Sequence, residues 1–246
     1  MICLLAGLLT VYLLAPQPLM AKLYAVAYGL SPQRPAHSIF IGGRQPPLEA
    51  RLFGVYGGFA VALVYLLATS ERSAARFPPP PVLLTLLAGV LALAIDGTNA
   101  LFHDLGLFHL YRPDNRLRLA TGLASGAALA GLFLPSINTF FQQKQPARRI
   151  MSSGFRLAGF VAAQAILYSL TVLDVPWLLY PLSLLAVGGI LALLTSVNLL
   201  MVASASGPAP KFGTSALIAL SLMVVELALL HGLRLVVQKA TGIVFT

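Results

Sequence analysis

The chain has 246 residues, 58% of them hydrophobic and only 9% charged, with a mean hydropathy of +0.87. A soluble domain carries about 25% charged residues, so an ordinary water-soluble core is excluded. The formal net charge of +9 does not point to nucleic acid, because the basic residues are spread among short loops between apolar runs, where they suit anionic lipid and a cytoplasmic face. A single cysteine, Cys3, excludes an internal disulfide framework and a cysteine-rich metal site.

The apolar runs lack the alternation of barrel strands, and helices satisfy their own backbone groups in lipid. The expected fold is therefore all-α: a polytopic transmembrane helical bundle of about seven apolar segments, forming one integral membrane domain over residues 1–246. The first segment, residues 2–15, is short for a span and is broken by Pro16 and Pro18. No basic residue precedes it and no small-residue cleavage site follows, so it reads as a retained helix. Beyond it, Leu19, Leu23 and Val26 recur at helical spacing beside Lys22, Tyr24 and Tyr28. That pattern predicts an interfacial helix, with one kinked span as the alternative.

The second segment is 52–69 and the third 82–102, with Pro78–Pro81 between them and an interruption expected at Asp96-Gly97. The fourth, 119–137, presents Gly122, Ser125, Gly126 and Ala130 as a small-residue face suited to close helix contact. Three further transmembrane helices are expected in 141–246: 157–173, 178–202 and 215–237. The very short Asp174-Val175-Pro176 turn predicts an antiparallel hairpin for the first two. Loops 31–51 and 103–118 then share one membrane face and should pack together. The two faces carry nearly equal basic charge. The acid-free run 144–156 is placed inside, which gives a cytoplasmic N-terminus and an external C-terminus.

Few residues could carry chemistry. Asp96 is an ionisable group at the end of a span and is expensive unless paired, so it should meet Arg51 or Arg118, at the starts of the neighbouring spans. The pair either fixes the structure or handles an ion, proton or ligand. Glu226 lies near the middle of the last span, where it is a proton-relay carboxylate or a neutral or paired side chain facing Gln164 or another subunit. Among His37, His103, His109 and His231, only His231 falls on a span. It is a weak candidate for a pigment or haem contact, and no cofactor is otherwise expected. His103 and His109, six apart, do not share a helical face. No haem-attachment, zinc-protease, nucleophile-elbow or phosphate-loop motif occurs.

The words Gln33-Arg34-Pro35-Ala36-His37-Ser38, Ala50-Arg51, Gly54-Val55-Tyr56-Gly57-Gly58, Asp96-Gly97-Thr98-Asn99, Asn115-Arg116-Leu117-Arg118 and Thr121-Gly122 stand in a fixed order. Over residues 20–140 the chain resembles an uncharacterised family of small prokaryotic polytopic membrane proteins. That family shows Cys-His-Gln-x-Pro, Cys-Ala-Arg-Cys-x-Gly-Ile-Tyr, Asp-Gly and Asn-x-x-Arg-x-x-Thr-Gly elements. The resemblance implies a site that includes Arg51, Asp96, Asn115 and Arg118, but no reaction. Ser31 and Pro32 stand where its Cys-His would fall, and Glu49 and Leu52 where its paired cysteines would flank Ala50-Arg51. These residues cannot form a closed thiolate metal site, so no metal is expected there.

The leading functional reading is a non-catalytic integral subunit or assembly factor of a larger, bioenergetic complex in the prokaryotic inner membrane. Its expected partners are other integral subunits and lipids, without nucleic acid. The vacated Cys/His positions, the small-residue face and a near absence of buried charge motivate it. The alternative is a small transporter or membrane-embedded enzyme using Asp96, Arg51 and Arg118.

Overall fold

The computed structural model describes residues 16–69, 74–141, 149–207 and 210–242; the first apolar segment, 2–15, lies outside them. Among the described residues the chain is all-helical: α1 (Leu19–Ala27), α2 (Ala50–Ala68), α3 (Pro80–Asp104), α4 (Asn115–Phe141), α5 (Gly154–Val172), α6 (Leu179–Ala205) and α7 (Phe212–Thr241). Helices α2 to α7 are each long and apolar enough to cross a membrane. The protein is a polytopic helical membrane protein.

The ends of these helices follow from local chemistry. Pro80 opens α3, where a missing N–H costs nothing. Asp114 caps α4, its carboxylate accepting from the backbone N–H groups of Arg116 (2.8 Å) and Leu117 (3.2 Å). Ser153 caps α5 and Gly242, at φ +66°, closes α7.

Helices α2 and α4 form the centre and pack on each other most extensively; α6 covers a second side of α2. Without water to expel, helices in lipid associate through close packing, and small residues permit it. A Cβ added at Gly126 would lie 2.1 Å from the Val55 carbonyl, and one at Gly122 would lie 2.3 Å from the Arg51 carbonyl. From the opposite helix, a Cβ at Gly54 would lie 2.5 Å from the Leu119 carbonyl and one at Gly58 would lie 2.8 Å from the Leu123 carbonyl. Gly189 of α6 meets the Tyr56 carbonyl at 2.0 Å by the same measure. The small-residue face expected on the fourth segment is thus the seam of the bundle. Helix α3 packs on α4, α7 packs on α6, and both leave most of their surface outside the bundle.

Three expectations are corrected. Helix α3 runs unbroken through Asp96-Gly97, because Gly97 faces open space and the Asp96 side chain is satisfied without unwinding the backbone. Asp96 accordingly lies inside the span, about 12 Å along the helix from its end at Asp104. Helices α5 and α6 do not pair as a hairpin: they scarcely touch, and each packs on α2. The short turn between them instead docks the first loop. Asp174, at φ +53°, accepts from Gly42 N (2.6 Å) and Gly43 N (3.4 Å). Helix α1 turns Met20, Leu23 and Ala27 inward, whereas Leu19 is exposed.

Gly126→Ala should destabilise the folded protein by about 1–3 kcal/mol through overpacking at the seam. Gly97→Ala should be neutral or stabilise by about 0.5–1 kcal/mol, since it adds a methyl in open space and removes backbone freedom. Thermal unfolding of both variants in one detergent checks the contrast.

Candidate functional site

Loops 31–49 and 105–114 meet at one end of the bundle, as expected. Asn115 Nδ2 donates to the carbonyls of Ala36 (3.0 Å) and Ser38 (3.1 Å), tying the start of α4 to the first loop. Arg34 Nη1 stands 4.0 Å from Asp104 at the end of α3.

Within this end, Asp96 is 1% exposed and meets Arg51, as its burial demands. Arg51 Nη2 donates to Asp96 Oδ2 at 2.6 Å and Arg51 Nε to the same oxygen at 3.2 Å. The Tyr111 hydroxyl donates to Oδ1 at 3.0 Å, and Thr121 Oγ1 lies 3.4 Å from Oδ2. Thr121 also has the Leu117 carbonyl at 3.0 Å, so it is the weakest of these partners. Burial, then the hydrogen bond to Asp96, pushes the Tyr111 phenol above its ordinary value, so it serves as a neutral donor.

Tyr111 reaches Asp96 because its loop folds back along α3. Asn99, one turn beyond Asp96, donates to the Tyr111 carbonyl (2.9 Å) and accepts from Leu110 N (2.7 Å) and Tyr111 N (3.3 Å). Neither Asn99, which stands in the Asp96-Gly97-Thr98-Asn99 word, nor Tyr111 is marked as a site residue by the sequence. The signal available for Asn99 was its i+3 spacing from Asp96, which places both on one helix face.

Arg118 does not reach Asp96. It is 5% exposed, and its Nη1 donates to Asn115 Oδ1 at 3.0 Å. Glu49 holds Arg34 through both its backbone N and Nε, each at 3.0 Å. His37 stands between Glu49 and Asp104, 3.9 Å from each. Burial, then Arg118 and Arg34, pushes the His37 imidazole below its ordinary value, against the smaller pull of Glu49 and Asp104. Ser31 Oγ accepts from Glu49 N at 3.3 Å, so residues 31 and 49 adjoin. Among the described residues, no three His, Cys, Asp or Glu side chains group as metal ligands.

The buried Glu49, Asp96 and Arg118 correct the expectation that buried charge would be nearly absent. Glu226 faces neither Gln164 nor the polar end. It accepts from Asn198 Nδ2 of α6 at 2.9 Å, while Gln164 donates to the Gly58 carbonyl at 3.2 Å. Helix α7 packs on α6 and not on α5, which decides that partner. His231 lies with Nδ1 3.4 Å from the Ala25 carbonyl and its ring 4.7 Å from that of Tyr28. His103 and His109 do meet, their rings 4.8 Å apart and edge to face. The turn at Gly106, φ +68°, takes His109 off the helix, so helical spacing does not govern the pair.

Residues 32–132 match a family described as Predicted membrane protein (DUF2085). An uncharacterized protein of Methanocaldococcus jannaschii is 31% identical over 113 residues, which are 46% of this chain and 67% of that protein. No solved structure matches the chain. The chain belongs to this family of predicted membrane proteins, and the matched stretch carries every residue of the Arg51–Asp96 cluster.

Removing one partner of a buried ion pair strands the other, at a cost of about 3–5 kcal/mol. Asp96→Ala should therefore sharply reduce folded yield. Asp104→Ala, at a side chain 37% exposed whose Arg34 partner is also exposed, should change stability by about 1 kcal/mol or less. Size-exclusion yield and thermal unfolding of the two variants measure the difference.

Proposed function

We propose that this member of the family is a non-catalytic integral subunit or assembly factor of a larger, bioenergetic membrane complex. In this reading it sits in the prokaryotic inner membrane as one integral domain, with its N-terminus in the cytoplasm. The observation that carries the reading is the saturation of Asp96. One oxygen receives Arg51 and the other Tyr111, which leaves no lone carboxylate poised for a proton or substrate. Such a group fixes three elements, α2, α3 and the 105–114 loop, against one another. The adjacency of Ser31 and Glu49 supports a scaffold kept after the loss of thiol ligands, since these are positions where the resemblance places cysteines. The largely uncovered faces of α3, α5 and α7 offer room for neighbouring subunits and lipid. His231, with Nδ1 near the Ala25 carbonyl and its ring tilted against Tyr28, is where a pigment or haem would be met, and the reading does not require one.

One observation favours a small transporter or membrane-embedded enzyme using Asp96, Arg51 and Arg118: the Arg118 Nε has no hydrogen-bond partner. Purification from the native membrane in mild detergent separates the two. The subunit reading expects the chain to migrate in native gels with a fixed set of integral proteins, identified by mass spectrometry at constant ratio. A cofactor-free monomer with no co-migrating subunit would transfer support to the transporter or enzyme.

A further inference from the structure

We propose that Arg118 holds a phosphate-type oxyanion at the headgroup level of the membrane, supplied by an anionic lipid headgroup or by free phosphate.

The argument rests on charge and burial. Arg118 is 5% exposed, yet among the described residues no carboxylate oxygen lies within 4 Å of it. Its Nη1 is met only by the neutral carboxamide of Asn115, and its Nε has no partner. A buried guanidinium without a counter-ion is among the costlier arrangements a protein can hold. The nearby charges do not offset it evenly, because Arg51 and Arg34 oppose the attraction of Asp104 and Asp96.

The described residues have no further acid to give. The chain contains 7 acidic residues against 16 Lys and Arg. At this end Asp96 is bound to Arg51 and Glu49 to Arg34, while Asp114 caps α4 and Asp174 binds the backbone at Gly42. Asp104 stands between Arg34 and His37. Glu226 is engaged by Asn198, and Glu71 lies outside the described residues. No described side chain therefore supplies the missing anion.

Position decides its chemistry. Arg118 is in the first turn of α4 and Arg51 in the first turn of α2, at the end of the bundle where loops 31–49 and 105–114 meet, and the headgroup region outside such an end is where phosphodiesters are concentrated. Guanidinium forks match phosphate oxygens in pairs, and Nε with a terminal nitrogen supplies one such edge. The proposal does not depend on the subunit reading, since either a subunit or a transporter could carry this site.

The full chain, purified and delipidated in neutral detergent, would be followed by thermal unfolding. It would be titrated at constant ionic strength with inorganic phosphate, and separately with phosphatidylglycerol against a neutral, phosphate-free glycolipid. The wild type is expected to gain several degrees in Tm. A shift with phosphate alone identifies a soluble anion, and one confined to phosphatidylglycerol identifies a headgroup. Arg118→Gln should lose the shift, with affinity down roughly tenfold or more, whereas Arg116→Gln, at an exposed arginine, should retain it. No shift in the wild type overturns the proposal. An equal shift in wild type and Arg118→Gln means an adventitious ion only and overturns it too. If Arg118→Gln does not accumulate, Arg118→Lys should bind roughly tenfold more weakly because the paired fork is gone; unchanged affinity overturns the proposal.

Discussion

The backbone contact between α2 and α4 is the constraint on which the rest of the structure depends. Helices in lipid gain little from hydrophobic attraction, so their association rests on how closely their backbones approach. Gly54 and Gly58 on one side and Gly122 and Gly126 on the other bring carbonyls to distances that no side chain would permit. Arg51 joins this seam to the polar end. Its carbonyl lies over Gly122, while its guanidinium reaches across to Asp96 on α3. Packing and ion pairing are thus two consequences of one helix placement.

The ion pair in turn organises the loops. A buried carboxylate on an apolar helix, about 12 Å from the helix end, is tolerable only with its charge met and its lone pairs filled. Arg51 meets the charge, and Tyr111 occupies the second oxygen from a loop that folds back along α3. Asn99 fastens that loop by its backbone. Leu105, Leu107, Phe108 and Leu110 point outward from it, which suits a loop lying against lipid rather than in water. Asn115 and Asp174 then hold the first loop over the same end from two further sides.

Span existence, the small-residue seam and the partnership of Asp96 with an arginine were legible in the sequence because each follows from one strong term: apolar length, backbone approach or the cost of a buried charge. What was not legible depended on lateral order around the bundle. The turn at Asp174–Pro176 is short enough for a hairpin, but α2 takes both neighbouring faces, so α5 and α6 separate. The same order gives Glu226 to Asn198 instead of Gln164. Asp96-Gly97 looked like a break because glycine disfavours helices, yet the cost of about 1 kcal/mol is small against a span's internal hydrogen bonds. Tyr111 escaped notice, and the meeting of His109 with His103 was missed, because loop trajectories leave no periodic trace in sequence.

The central claim is that the α2–α4 seam delivers Arg51 to Asp96 as a buried, interdependent pair. A double-mutant cycle with Arg51→Met and Asp96→Leu, read by reversible unfolding in detergent, tests it directly. Each single change should destabilise by about 3–5 kcal/mol, and the double variant should recover most of that loss, since no unpaired charge remains. Additive losses in the double variant would contradict the pairing and, with it, the placement of α3 against the central seam.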